Sequence, residues 1–417
     1  MILQIHHPTK ERMGSPFQKV EGAVTAPQGF RAAGVAAGLK PSGAPDLALM
    51  VSECDAVGAG VFTTNQVKAA CVIYGQGILA QQQPVRAILC NAGQANACTG
   101  EEGERNNAQL ANWVGEQLGI PAAQVLTAST GVIGRQLDMP KIQAALPQLV
   151  QSLSTEGGEQ AARAIITTDL VTKSIALETE ILGHPVRVGG ISKGSGMIHP
   201  NLATMLAFLT CDAAVEPHLW QQILHKAADL SFNQITVDGD TSTNDMLLAL
   251  ANGKSGIPTI QPDTEAAQIL AEMVNTACIH LAKAIARDGE GATKLLEIQV
   301  RGAVEDADAR HIARVIASSP LVKSAAFGND PNWGRVAAAA GRAGIPFDSR
   351  RLDIRLGDFL LMQAGMPLAF DRQAASEYLK GDPVTFTVDL HQGSGQGTAW
   401  GCDLSYDYVR INAEYTT

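Results

Sequence analysis

The chain has few aromatic residues, 5% of its 417 positions, and none of its seven cysteines forms a C-x-x-C pair. Cys54, Cys71, Cys90, Cys98, Cys211, Cys278 and Cys402 are scattered and odd in number. That excludes a disulfide scaffold and predicts a reducing compartment, the cytoplasm. Long apolar runs are also missing. Met205 to Leu209 is typical, against the ~18 residues that a membrane span requires. Residues 1–13 lack the apolar core of a signal peptide and are expected to form a loose extension. There is no basic stripe, and the formal charge is −10, so a nucleic-acid partner is not expected. The histidines show neither H-E-x-x-H nor a comparable ligand spacing, so no metal site is expected.

What is present fits a folded globular protein. Apolar residues make up 46% and charged residues 17%, with 41 glycines for tight turns and close backbone approaches. The length suits about two to four domains. Short buried strands are expected at Ala69–Tyr74 and Arg86–Cys90, followed by a small-residue loop over 91–100 and a helix from Glu104 to Leu118. Leu177–Ile181 and Val186–Val188 flank Gly183-His184-Pro185 as a hairpin. Leu219–Leu230 is amphipathic. A longer helix, capped by Asp263, runs to about Ala286 with Ile269, Leu270, Met273, Ala277 and Leu281 as its stripe. Leu296–Val300 and the alternating Val384–Leu390 read as strands. The mixture predicts an α/β protein of layered sheets with helices outside.

Polar clusters gather where expected strands end, as sites on sheet scaffolds commonly do. Ser129-Thr130-Gly131 follows Val125-Leu126 and can aim a hydroxyl and a backbone N–H at one point, as an oxyanion hole requires. On its own residues the segment reads first as an ordinary turn. Thr167-Thr168-Asp169 ends an expected strand, Ala164-Ile165-Ile166. Asp238 to Asp245 is a dense acidic turn, read as a solvated or Asx-stabilised loop. Gly190-Ile-Ser192-Lys-Gly194 matches G-x-S-x-G, but Gly196 and Pro200 oppose the helix that a nucleophile elbow needs. Gly289-Glu-Gly291 and Gly393 to Gly397 lack the spacing of a phosphate loop. Thr204 stands where a glycine-rich loop, Lys193 onward, enters the apolar run Met205–Leu209. A β-branched residue suits that position structurally. Cut before Thr204, the chain would also carry a hydroxyl nucleophile and a free amine on one residue.

In this order, several segments resemble the ornithine acetyltransferase family, the bifunctional glutamate N-acetyltransferase and amino-acid acetyltransferase of arginine biosynthesis. They are Gly22–Pro27, Asn91–Gly100, Ser129–Gly134, Thr167–Asp169, Lys193–Phe208, Ser231–Asp240, Asp288–Thr293, Asp330–Arg335 and Ile411–Thr417. The resemblance implies a layered αββα core of the self-processing amidohydrolase type over 14–290. A smaller α/β domain over 291–417 would follow, its tail returning to the active site. It also implies self-cleavage between Ala203 and Thr204, giving an α chain of residues 1–203 and a β chain of residues 204–417, assembled as α2β2.

The implied chemistry is ping-pong acetyl transfer through Thr204, from N2-acetylornithine to glutamate. The freed α-amine, with an unperturbed pKa of ~7.7–8.0, would be the base. Thr130 and Gly131 match the family's oxyanion hole. Thr167, Lys193, Thr204, Glu290, Asn412 and Thr417 match its substrate-binding positions, with Thr168 adjacent to Thr167 as the alternative. Lys193 is assigned to a carboxylate and Glu290 to an ammonium. No cofactor is implied, and acetyl-CoA is a candidate second donor. An aminopeptidase or amidase on the same scaffold is the alternative activity.

Overall fold

The computed structural model describes residues 17–199 and 205–414. The 1–13 extension, Ala203, Thr204 and Thr417 lie outside the described residues. The first half runs β1 (Gln18–Lys19), β2 (Phe30–Val35), β3 (Leu47–Phe62), α1 (Ala70–Ala80), β4 (Val85–Gln94), α2 (Gly100–Leu118), β5 (Val125–Val132), α3 (Met139–Gln151), α4 (Gly158–Ile165), β6 (Lys173–Ile181) and β7 (His184–Lys193). Then come β8 (Leu206–Cys211), α5 (Pro217–Leu230), β9 (Ile235–Thr236), β10 (Met246–Ala251), α6 (Glu265–Arg287) and β11 (Leu295–Ala303). The chain finishes with α7 (Asp306–Ala317), α8 (Pro320–Phe327), α9 (Trp333–Gly341), β12 (Asp353–Leu356), β13 (Phe359–Gln363), β14 (Met366–Pro367), α10 (Arg372–Tyr378), β15 (Val384–Asp389), β16 (Gly395–Cys402) and α11 (Tyr406–Glu414).

Hydrophobic packing sorts the first sheet system into four layers. The strand order is β1-β6-β7-β8-β10-β3-β4-β5, with β2 on β3. The sixteen-residue β3 serves both layers: residues 47–51 pair with β4, and residues 57–62 pair with β10. Alternate residues of β8 and β10 face opposite ways. Leu206, Phe208, Met246 and Leu248 meet Met50, Ile88 and Leu126 between the sheets. Ala207, Leu209, Leu247 and Ala249 face outward onto Trp220 and Leu224 of α5 and Met273 and Ala277 of α6. On the far side Leu49, Leu89 and Val125 pack on Leu110, Val114 and Ile142 of α2 and α3. The result is αββα. Strands buried on both faces read as continuous apolar runs, which is why β8 and β10 lack alternation.

The second sheet has the order β14-β13-β12-β15-β11-β16-β9. Its own core packs Ile298, Val300 and Phe386 against α7 to α10. Its other face meets α6, where Lys283 pairs with Glu297 at 3.1 Å and Trp400 joins the α6 core. By length and composition α6 is apolar enough to cross a membrane, but its stripe is the central core surface of these sheets.

Four local expectations need correction. Ala69–Tyr74 is not a strand but the start of α1. Ala70, Cys71, Val72, Gly75 and Ile78 are buried, and the exposed face opposite them carries Ile73, Gln76, Gly77 and Ala80, so no charged stripe marks it as a helix. Ala164-Ile165 closes α4, whose alanines favour helix, and only Ile166 is extended. The cap of α6 is Thr264, whose hydroxyl accepts from the Ala267 N–H at 3.1 Å; Asp263 before it is left-handed, at φ 60°. In the 91–100 segment, β4 continues to Gln94 and α2 begins at Gly100. The expected hairpin is present, with Ile181 opposite His184.

Candidate active site

A cavity of about 360 Å³ opens where the C-terminal ends of β5 and β7 meet the starts of β8 and β10. Thr130, Gly131, Thr167, Lys193, Glu290 and Asn412, drawn from five separated stretches, all line it. They are all of the expected site residues that fall within the described chain. Thr168 lines it too, so position alone does not choose between the adjacent threonines. Met205, which follows Thr204 in sequence, is also in the wall.

At the end of β5 the ladder to β4 slips register beside Gln94, which pairs with both Thr130 and Val132. Such irregularities re-aim side chains at sheet edges. Gly131 has φ 129°, and a Cβ there would lie 2.3 Å from the Gly93 carbonyl carbon. Only glycine lets the two backbones approach so closely. Asn244, in the turn before β10, fixes this corner: its Nδ2 donates to the carbonyls of Ala95 at 2.6 Å and Ser129 at 2.8 Å. Lys193 is buried at the end of β7 and donates to the Thr130 hydroxyl at 3.3 Å.

Beneath the cavity lies a fully buried ammonium. Lys173 Nζ pairs with Asp169 and Asp288, each at 2.6 Å. The two carboxylates in turn hold backbone. Asp169 accepts from the N–H of Thr167 at 3.0 Å and Gly194 at 2.7 Å, and Asp288 accepts from Leu170 N–H at 3.1 Å. One network thus ties three walls of the cavity together. Burial opposes ionisation of Asp169, but the Lys193 and Lys173 ammonium groups outweigh it and hold its pKa at about 2.

Glu290 follows the end of α6, and its N–H donates to Ser195 carbonyl at 3.0 Å. Its carboxylate accepts from Asn412 Nδ2 at 2.9 Å, which brings α11 to the cavity. That helix is anchored by an edge-on contact of Tyr406 with Phe327, ring centroids 5.5 Å apart. His199 is half-buried with Nδ1 3.0 Å from the Thr236 hydroxyl, and burial lowers its pKa. Among the described residues no three His, Cys, Asp or Glu side chains gather to hold a metal.

The acidic turn is an Asx-stabilised loop at its start, where Asp238 accepts from Asp240, Met197 and Ile198 N–H groups. Its end is not solvated. Asn244 and Asp245 are buried cavity residues, which corrects the expectation of a solvated loop for this end of the turn. The available signal was their place directly ahead of the wholly apolar Met246–Ala251.

The sequence profile of the ArgJ family matches residues 31–417. The chain is 60% identical over 410 residues to arginine biosynthesis bifunctional protein ArgJ 1 of a Nostoc species, covering 96% of this chain and 99% of that one. It is 59% identical over 414 residues to the corresponding ArgJ protein of a Synechococcus species, covering 97% and 100%. A crystal structure of ornithine acetyltransferase complexed with ornithine, from Mycobacterium tuberculosis, is 44% identical; the match covers 45% of this chain and 100% of that one, with a TM-score of 0.42.

Proposed function

The chain belongs to the ArgJ family, and we propose that it transfers acetyl from N2-acetylornithine to glutamate, giving ornithine and N-acetylglutamate. The observation that carries this reading is the convergence of Thr130, Gly131, Lys193, Glu290 and Asn412 on one cavity beside Met205. In the proposed mechanism the chain cuts itself between Ala203 and Thr204. The freed amine of Thr204 takes the hydroxyl proton as the oxygen attacks the acetyl carbonyl. The Thr130 hydroxyl and the Gly131 N–H stabilise the oxyanion, one such donor being worth about 10²–10³ in rate. Lys193 holds the substrate carboxylate, and Glu290, oriented by Asn412, holds the ornithine side-chain ammonium. Thr167 and the Thr417 tail complete the binding set.

Acetyl-CoA as a second donor, an α2β2 assembly, a cytoplasmic location and a division of the chain near residue 290 belong to the same proposal. The last rests on the separate hydrophobic core of the second sheet. Incubation with acetylornithine, with and without glutamate, tests the activity: N-acetylglutamate must form only when glutamate is present. Acetate release unaffected by glutamate would favour the amidase alternative. Acetyl-CoA with glutamate alone tests the second donor.

Glu290 yields a sharper prediction. A Cβ at Gly196 would lie 2.5 Å from its carboxylate. Gly196→Ala is therefore expected to raise KM for acetylornithine by about 10-fold, the equivalent of roughly 1.4 kcal/mol. A substrate whose side-chain amine is absent should be little affected, and steady-state kinetics with both compounds separates the two.

A further inference from the structure

Ping-pong transfer between two amino acids poses a proton problem that the groups above do not solve. Acetylornithine gives up its acetyl group to the Thr204 oxygen: the new C–O bond forms and the C–N bond breaks. The hydroxyl proton, carried by the freed amine, ends on the departing nitrogen, which leaves as a neutral amine. Ornithine is an ammonium in water, so one further proton must reach it. Glutamate then arrives as an ammonium and must lose one proton before its nitrogen can attack the acetyl ester. Its second proton returns through the amine to the Thr204 oxygen as the C–O bond breaks. Over the whole cycle the account balances, but between the two halves one proton must be supplied and later recovered.

Resting on the proposed acetyl transfer, we propose that Asp245 is a catalytic residue that lends this proton to departing ornithine and takes it back from incoming glutamate. Asp245 is 3% exposed and lines the cavity, and among the described residues no group hydrogen-bonds its Oδ2. Its backbone is fixed on two sides: its carbonyl accepts from Thr63 N–H at 2.9 Å, and Met246 N–H donates to Met205 carbonyl at 2.9 Å. The carboxyl therefore sits one strand across from the residue after Thr204. Burial pushes its pKa well above the ordinary carboxylate range, against the Ser242 hydroxyl and the Lys193 ammonium, the charged group that acts on it. A carboxyl so placed rests protonated and ionises when a neutral amine is released beside it.

The test varies the leaving group. p-Nitrophenyl acetate acetylates the same nucleophile, but nitrophenolate departs without a proton. In the processed two-chain protein, Asp245→Asn is expected to slow acetyl transfer from acetylornithine by about 10²-fold or more, with acetylation by p-nitrophenyl acetate kept near the wild-type rate. Equal losses with both donors, or no loss with either, would overturn the proposal. Should the variant fail to fold or process, wild-type pH profiles decide. The acetylornithine reaction needs protonated Asp245 and should fall as pH rises through its pKa, a limb missing with p-nitrophenyl acetate. Identical profiles overturn the role. Wild-type protein acetylated by p-nitrophenyl acetate but inert to acetylornithine contradicts the substrate assignment instead.

Discussion

Thr204→Ala protein is expected to remain one uncut chain under denaturing conditions and to lose acetyl transfer by about 10⁴–10⁶-fold, the range seen when a covalent nucleophile is removed. Both losses have one cause. The hydroxyl that attacks the Ala203 carbonyl during maturation is the hydroxyl that later takes the acetyl group, and the cut creates the amine that activates it. Thr204→Ser should keep both functions at reduced rates, because serine supplies the oxygen without the β-methyl that narrows its rotamers. Gel electrophoresis and N-acetylglutamate assays on the same samples read the two effects together. Full transfer by uncut Thr204→Ala would dismiss the mechanism.

Lys173→Met is the second large effect. Its ammonium is fully buried between Asp169 and Asp288, and removing it strands two carboxylates. Breaking a buried charge network in this way costs about 3–5 kcal/mol, measurable as a lowered denaturant midpoint. The pH dependence has a definite sign. In the wild type, the depressed pKa of Asp169 means that its ionised form stabilises the fold above the unfolded-chain value of ~3.9, and that this is lost as pH falls through about 2. In Lys173→Met the stranded carboxylates can shed their charge by taking up protons. The deficit is therefore expected to be largest at neutral pH and to shrink on acidification. Activity should fall as well, since Asp169 and Asp288 hold Thr167, Gly194 and Leu170 by their backbone N–H groups. A deficit that grows with acidification would mean that the network is not the stabilising element.

The sequence made the αββα layering legible through its ordered motifs, and it named site residues that the fold gathers in one cavity. Periodicity alone did less. It found α5 and α6 by their apolar stripes, but it mistook α1 for a strand because the exposed face of that helix carries Ile73, Gly77 and Ala80 in place of charged residues. The supporting network was not legible either. Lys173 and Asp288 are 115 positions apart, and nothing local marks a lysine near the start of a strand as fully buried. Asp245 was hidden differently. In sequence it ends an acidic turn of the solvated type, and only the pairing of β10 with β8 carries it into the cavity wall.

The most direct test of acetyl transfer through Thr204 is denaturing mass spectrometry of the wild-type protein after exposure to acetylornithine without glutamate. Two chains are expected, residues 1–203 and 204–417, with one acetyl group on Thr204 of the second that disappears when glutamate is added. A single uncut chain that still makes N-acetylglutamate, or an acetyl group on any other residue, would contradict it.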